Sequence, residues 1–187
     1  FENVTFRNNS AADQGGGIRG SGTFTNVTFE GNSTGFRGGG MYSSYDSNNT
    51  FTNVTFESNS ADNDGGGMYS YYSENTFTNV TFEGNSADND GGGMYSDYSE
   101  NTFTDVTFQE NRGRGAFIRG GTVNAVNVRF LGNEGGGLFI GEGSTASIAN
   151  AIFSGNTTSG SGGGLYISGN ISPQLSNLTF TNNTASR

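Results

Sequence analysis

Two pairs of aspartates carry the clearest metal-binding chemistry in the sequence. Asp62-Asn63-Asp64 and Asp88-Asn89-Asp90 lie 26 residues apart. If the chain coils with that period, the two segments stack about 5 Å apart and bring like charges together. A Ca²⁺ ion held by carboxylate and carbonyl oxygens would relieve this repulsion, whereas on a solvated corner water and salt would screen it. The candidate calcium ligands are Asp62, Asp64, Asp88 and Asp90.

Aromatic residues that follow the glycine-rich segments form a second candidate surface. The predicted outward contact column consists of Tyr42, Tyr69, Tyr95, Phe117, Phe139 and Tyr166, and a second row of Tyr45, Tyr72 and Tyr98 runs parallel to it. Exposed aromatic rows can stack on sugar rings or contact another protein. The alternative is that corner loops cover these rings, or that the rings only stack on one another along the sheet.

Asparagines in Asn-x-Ser/Thr sequences are candidates for N-linked glycans. If the source organism glycosylates its secreted proteins, glycans on Asn26, Asn53 and Asn79, which share one position in successive repeats, would coat one edge of the molecule. The candidates are Asn3, Asn8, Asn26, Asn32, Asn48, Asn53, Asn79, Asn156, Asn170, Asn177 and Asn182.

Composition excludes several other kinds of site. The chain has no His and no Cys, and all eight basic residues are Arg, so histidine catalysis, thiolate nucleophiles, disulfides and Schiff-base lysines are impossible. The net charge of −9 argues against nucleic acid, and no apolar run is long enough for a membrane helix. Arginines and acids cluster irregularly at Arg112, Arg114, Arg119, Arg129, Asp105, Glu110 and Glu134, a density more typical of surface ion pairs than of an active site.

A repeat positions all of these residues. The motif Phe-x-x-Asn recurs eight times, with successive phenylalanines 22 to 27 residues apart. Residues 51–76 match residues 77–102 at 24 of 26 positions, which indicates an internal duplication, and Tyr71/Asp97 is one of the two differences. In a stacked coil the asparagines would form a structural ladder of amides along one corner, made of Asn9, Asn32, Asn59, Asn85, Asn111, Asn133, Asn156 and Asn183.

Each repeat has the pattern of short strands joined at corners. Val54 and Phe56 alternate with Thr55, as in a strand with one buried face, and Phe51 breaks this phase, which predicts a corner near Asn53. A second strand follows each glycine triple, where close backbone approach favours residues without a Cβ. No helical stripe of apolar residues is present. We predict an all-β coil of parallel strands with about seven to eight coils, formed by residues 1–187 as one domain.

The paired motifs resemble those of chlamydial polymorphic outer-membrane proteins, which are autotransporter passengers with GGA[ILV] and FxxN repeats. The matching segments beside the Phe-x-x-Asn pairs are Gly16-Gly17-Ile18, Gly39-Gly40-Met41, Gly66-Gly67-Met68, Gly92-Gly93-Met94, Gly115-Ala116, Gly136-Gly137-Leu138 and Gly163-Gly164-Leu165. This resemblance implies a right-handed parallel β-helix (solenoid) with a single strand path, exposed at the bacterial surface. Because such repeats support many activities, the resemblance speaks for the fold more than for the function.

Three functions fit these observations. We expect a non-enzymatic, extracellular structural protein: a rigid rod or filament segment at the cell surface, part of a longer protein or assembly, that stacks end to end on flanking repeats or on itself. The first alternative is a carbohydrate-binding adhesin that uses the aromatic column. The second is a polysaccharide-degrading enzyme similar to pectate lyases, whose active site should be one irregular cluster, whereas most acids here repeat with the coil.

Overall fold

The computed structural model describes all 187 residues as strands, turns and bends. No helix in it has the length and apolarity needed to span a membrane. The strands are β1 (Thr5–Arg7), β2 (Ser10–Ala11), β3 (Ile18–Arg19), β4 (Thr23–Thr25), β5 (Thr28–Glu30), β6 (Ser33–Thr34), β7 (Met41–Glu57), β8 (Ser60–Ala61), β9 (Met68–Glu83), β10 (Ser86–Ala87), β11 (Met94–Gln109), β12 (Ala116–Val126), β13 (Arg129–Leu131), β14 (Leu138–Ile140), β15 (Ser144–Ser154), β16 (Thr157–Thr158), β17 (Leu165–Ile167), β18 (Gln174–Thr181) and β19 (Thr184–Ala185).

All strand pairings are parallel and join equivalent positions of successive repeats. Phe6 pairs with Phe29, Phe29 with Phe56, and Phe56 with Phe82. The strands form one large sheet, a four-stranded sheet of β2, β6, β8 and β10, and a two-stranded sheet of β16 and β19. The chain is therefore an all-β parallel solenoid of about seven turns, and the predicted fold class is confirmed.

Corners in the long strands occur where the backbone turns left-handed. Within β7, φ is +48° at Tyr45, +53° at Asp46 and +54° at Asn53, and Ser58 follows the strand at +54°. Asn and Asp tolerate this conformation because their short polar side chains bond locally, whereas a tyrosine there is an outlier. The corner expected near Asn53 is present.

The interior is one continuous hydrophobic cluster of 27 buried residues. The Phe-x-x-Asn phenylalanines stack in a column, with ring centroids 4.6 Å apart for Phe29 and Phe56 and 4.7 Å apart for Phe56 and Phe82. A second column, which contains Phe51 and Phe77 at 4.7 Å, lies beside it. Both columns point inward because the corner at Asn53 reverses the alternation of the strand. Burying each ring stabilises the fold by roughly 1.5 to 3 kcal/mol.

Candidate functional site

The Phe-x-x-Asn asparagines form a column whose six inner members, from Asn32 to Asn156, are fully buried with every polar side-chain atom bonded, while Asn9 and Asn183 lie at its more exposed ends. Asn85 Oδ1 accepts hydrogen bonds from the backbone N and from Nδ2 of Asn59, at 3.0 and 2.9 Å. Asn85 Nδ2 donates to the carbonyl of Phe56 at 2.9 Å and to Oδ1 of Asn111 at 3.1 Å. One amide thus links three coils, and a saturated amide of this kind has no capacity left for a ligand.

A second asparagine ladder lies on the exposed corner and was not anticipated as a ladder. Asn53 Nδ2 donates to Asn26 at 3.1 Å, and Asn79 Nδ2 donates to Asn53 at 2.8 Å. Asp105 occupies the next position, and because a carboxylate cannot donate, no bond joins it to Asn79. The ladder resumes where Asn127 donates to Asp105 at 3.0 Å. The repeated left-handed φ at these positions explains why Asn or Asp occurs there.

The glycosylation candidates divide by burial. Asn32 and Asn156 are fully buried in the amide column, so their candidacy is wrong: their Nδ2 atoms bond the neighbouring coils and cannot carry a sugar. The reason is that a Phe-x-x-Asn motif with Thr two residues after its Asn, as at Thr34 and Thr158, creates the sequence of an acceptor at an interior position. The exposed candidates are Asn3, Asn8, Asn26, Asn48, Asn53, Asn79, Asn170, Asn177 and Asn182.

The candidate calcium ligands do not converge. Asp64 is buried and accepts a hydrogen bond from Arg37 Nε at 3.1 Å, and Asp90 lies 4.0 Å from Arg114 Nε. Asp62 and Asp88 point into solvent. Burial raises the pKa of both Asp64 and Asp90. No group of three or more acidic side chains suitable for a metal occurs in the structure, so calcium binding stays a prediction.

The aromatic contact column is covered over half its length. Tyr42, Tyr69 and Tyr95 are 6%, 1% and 5% exposed and form a small cluster apart from the interior core, so these three rings are covered and not available for contact. Their centroids stack at 5.4 and 5.2 Å. Phe117, Phe139 and Tyr166 continue the column and are half-buried.

Arginine side chains cover the buried tyrosines. Arg37, held by Asp64, lies 4.8 Å from the centroid of Tyr69, and Arg119 lies 5.9 Å from that of Tyr95. Burial raises the pKa of Tyr95 to about 12 and that of Tyr69 further. Arg37 comes from the loop before β7, as in the alternative weighed from the sequence, whereas Arg119 lies within β12 and Tyr71, which also packs against these rings, lies within β9.

The accessible aromatic surface is the parallel row of Tyr45, Tyr72 and Tyr98. These residues are 69%, 46% and 51% exposed, and all three have positive φ, at 48°, 46° and 50°. A bulky side chain in the left-handed region is strained, and such strain concentrates at functional sites. Tyr72 and Tyr98 stack at 5.2 Å beside a groove of about 280 Å³, whose charged lining residues are Asp46, Glu74 and Glu100.

The tyrosine row ends at a second groove, which we call the glycine notch. Gly120 follows Tyr98 at the next coil, and Gly143 follows Gly120. A Cβ at Gly120 would lie 2.6 Å from Cδ1 of Tyr98. The notch has a volume of about 410 Å³ and is lined by Tyr98, Phe117, Arg119, Phe139, Glu142 and Gly143, with Gly141 beside them.

An ion pair fixes one wall of the glycine notch. Arg119 donates from Nε to Asp97 Oδ1 at 2.8 Å and from Nη2 to Oδ2 at 2.6 Å. The Asp97 side chain is 4% exposed and that of Arg119 is 51% exposed. The hydrogen bonds to Asp97 raise the pKa of Arg119 above the usual value of an arginine. A charge-assisted fork of this kind holds a guanidinium in one orientation.

The remaining residues of the irregular cluster are scattered. Arg112, Arg129, Asp105, Glu110 and Glu134 are exposed and form no ion pair. Arg114 is largely buried beside Phe139 and Tyr166, where burial lowers its pKa and its Nη1 has no partner. The cluster therefore does not converge on one site.

Besides the exposed asparagine ladder, two further features were not anticipated from the sequence pattern. One is a buried polar ladder, in which Asn75 Nδ2 donates to Ser70 Oγ at 2.8 Å and to Asn101 Oδ1 at 3.1 Å. The other is the Asp97–Arg119 pair. The duplicated coils contained a signal for it, since Asp97 replaces Tyr71 at one of the two positions where the copies differ, and Asp97 pairs in register with Arg119.

Comparison with known proteins agrees with the architecture. Residues 1–151 match the family described as right-handed β-helix region, and residues 150–172 match the repeat of Chlamydia polymorphic membrane proteins. No curated protein and no solved structure is significantly similar to the chain.

Proposed function

The chain belongs to the right-handed β-helix family, and from this premise we propose that it is a non-enzymatic segment of a rigid rod exposed at the cell surface. The observation that carries the proposal is the continuity of its columns. The stacked phenylalanines run from coil to coil. The buried asparagine amides also use their hydrogen bonds to join neighbouring coils. In a solenoid each coil is stabilised by its neighbours, which makes the whole a stiff spacer.

Surface exposure is supported by the match of residues 150–172 to the Chlamydia polymorphic membrane protein repeat. The acidic surface, with a net charge of −9, also suits a chain in contact with water on all sides. Extension of the rod by flanking repeats or by another copy is supported by the in-register ladders, because every coil presents the same bonding pattern to the next.

Surface exposure is tested on intact cells of the source organism with an antibody raised against residues 1–187. We expect equal labelling of intact and permeabilised cells, with a cytoplasmic protein labelled only after permeabilisation as the control. Labelling of this chain only after permeabilisation would overturn the proposal.

The spacer function is tested by removing one coil. Deletion of residues 51–76 removes one of two nearly identical coils, joins Thr50 to Phe77 in register, and should shorten the distance between spin labels placed on either side by about 4.8 Å. Because the chain has no Cys, labels at introduced cysteines are specific. Deletion of half this length, residues 51–63, is the control that should prevent folding. A full-coil deletion that unfolds the chain would argue against interchangeable coils.

The enzymatic alternative is tested with polygalacturonate, with and without added Ca²⁺. We expect no unsaturated product absorbance and no new reducing ends. Catalytic turnover that is lost in the Arg119→Gln variant would replace the structural proposal with the lyase-like one.

A further inference from the structure

We propose that the glycine notch binds a neutral hexopyranose unit of a glycan. This site is independent of the rod proposal, because a spacer needs no ligand and a ligand site needs no filament. It shares only Phe117 and Phe139 with the contact column expected from the sequence, whose first three rings are buried.

The first argument is that the notch interrupts the repeat. Tyr72 and Tyr98 occupy one corner position in successive coils, and Gly120 and Gly143 occupy it in the next two. Loss of two large side chains in succession opens a space of about 410 Å³ beside the last tyrosine. A volume of this order is typical of small-molecule sites. Positions that recur in every coil serve the scaffold, whereas the notch occurs at one place in the chain.

The second argument is the nature of the walls. Tyr98, Phe117 and Phe139 contribute aromatic carbon, while Arg119 and Glu142 contribute a donor and an acceptor. A hexopyranose has an apolar C–H face and a rim of hydroxyls that both donate and accept hydrogen bonds. The acidic groove beside Tyr72 has three carboxylates and no cationic donor, so it suits this ligand less well.

The third argument is the charge of the notch. Arg119 is already neutralised by Asp97, and its Nη1 makes no hydrogen bond within the chain, so it remains free to donate to a hydroxyl. Glu142 is exposed and forms no ion pair. The net charge of these three groups is −1, which disfavours uronic and sialic acids and favours a neutral sugar.

The fourth argument comes from the internal duplication. In two coils that agree at 24 of 26 positions, the change from Tyr71 to Asp97 supplies the partner that orients Arg119 toward the notch. A substitution that buries a carboxylate is costly unless the carboxylate is paired, and pairing here fixes a guanidinium beside the aromatic walls.

The proposal is tested by saturation-transfer NMR and by titration of the ¹⁵N-labelled chain with cellobiose, maltose, lactose and digalacturonic acid. We expect saturable shifts at the notch with at least one neutral disaccharide, and at least tenfold weaker binding of the acidic one. Absence of saturable binding by all three neutral sugars, or preference for digalacturonic acid, would overturn the proposal.

Three variants place the site. Tyr98→Asn removes a wall at a left-handed position that Asn tolerates, and Glu142→Gln removes the exposed carboxylate. Tyr45→Asn, the same change at the same repeat position two coils away, is the matched control. We expect about tenfold weaker binding for the first two and less than a twofold change for the control. Equal losses in Tyr98→Asn and Tyr45→Asn would exclude the notch as the site.

A fourth variant separates a loss of sugar binding from a loss of folding. Gly143→Asn fills the notch without removing a wall, and Asn accepts its φ of +77°. We expect the folded spectrum to persist while sugar binding falls about tenfold. Unchanged affinity in this folded variant would overturn the proposal.

Discussion

Each interior asparagine of the Phe-x-x-Asn motif carries more of the stability than its size indicates. The Asn85 amide forms four hydrogen bonds that reach Asn59, Phe56 and Asn111. All of these groups are buried, and removing the amide leaves the backbone N–H of Asn59 without a partner, while Asn59 Nδ2 and Asn111 Oδ1 each lose one of two bonds. An orphaned buried polar group costs about 1 to 3 kcal/mol, more than the net gain from making the bond.

Asn85→Ala should therefore lower the free energy of unfolding by about 3 kcal/mol, since one buried N–H is orphaned and three further hydrogen bonds are lost. Urea unfolding followed by circular dichroism measures the change. Asn79→Ala, in the exposed ladder, is the control and should cost only about 1 to 2 kcal/mol, because water replaces the lost bond and Ala resists the left-handed φ. Equal costs would show that burial of the amide is not what matters.

The buried tyrosines make stability depend on alkaline pH. Burial raises the pKa of Tyr95 from 10.0 to about 12, so the folded chain retains this phenolic proton after the unfolded chain has lost it. The contribution is complete below pH 10 and is lost as the pH rises through about 12.

We expect the free energy of unfolding to fall by about 1.4 kcal/mol per pH unit for Tyr95 alone within this window. Tyr95→Phe should remove that part of the slope in urea titrations between pH 9 and 12. The same steep fall in Tyr95→Phe would contradict the assignment.

At the scale of the strands and corners, the glycine triples allow coils to approach more closely than any side chain permits. A Cβ on Gly66 would collide with the backbone carbonyls of Ser86 and Gly92, neither of which can rotate away. Gly84, at a left-handed corner, would meet only the Ser58 hydroxyl at 3.7 Å. The glycines thus serve two purposes, close contact between coils and positive φ.

Gly66→Ala should consequently disrupt the coil, with a loss of several kcal/mol or failure to fold, because overpacking against fixed backbone forces the strands apart. Gly84→Ala should cost only about 1 kcal/mol, for the strained φ. Thermal unfolding of both variants decides between these outcomes. Similar losses in the two variants would mean that φ, and not contact, determines the need for glycine.

Strand alternation and motif spacing predicted the coil well, because residues one repeat apart in the sequence lie beside each other in successive coils. The corner at Asn53 and the inward column through Phe56 follow from alternation alone. Exposure of the second strand could not be predicted in the same way. Whether Tyr69 faces water depends on Arg37 and Asp64 in neighbouring loops, whose lengths vary between repeats and carry no periodic signal.

At the scale of the whole molecule, burial sorts the sequons that sequence alone treats as equal. When the chain is secreted from a glycosylating eukaryotic cell line, mass spectrometry of its peptides should find glycans at exposed positions such as Asn26 and Asn53, and none at Asn32 or Asn156. The two buried amides belong to the interior column, so a sugar there is incompatible with the folded coil. Occupancy at Asn32 in the folded, secreted chain would contradict this structure.

The two asparagine ladders point in opposite directions along the axis. In the buried column each bond between amides runs toward the C-terminal neighbour, as from Asn59 Nδ2 to Asn85 Oδ1, whereas in the exposed ladder it runs toward the N-terminal one, as from Asn53 to Asn26. The molecule therefore has a direction along its axis, and its N-terminal and C-terminal ends are not interchangeable. A copy added head to tail would continue both ladders with donors facing acceptors, whereas a twofold-symmetric contact that places each ladder against its own copy would set donor against donor and acceptor against acceptor.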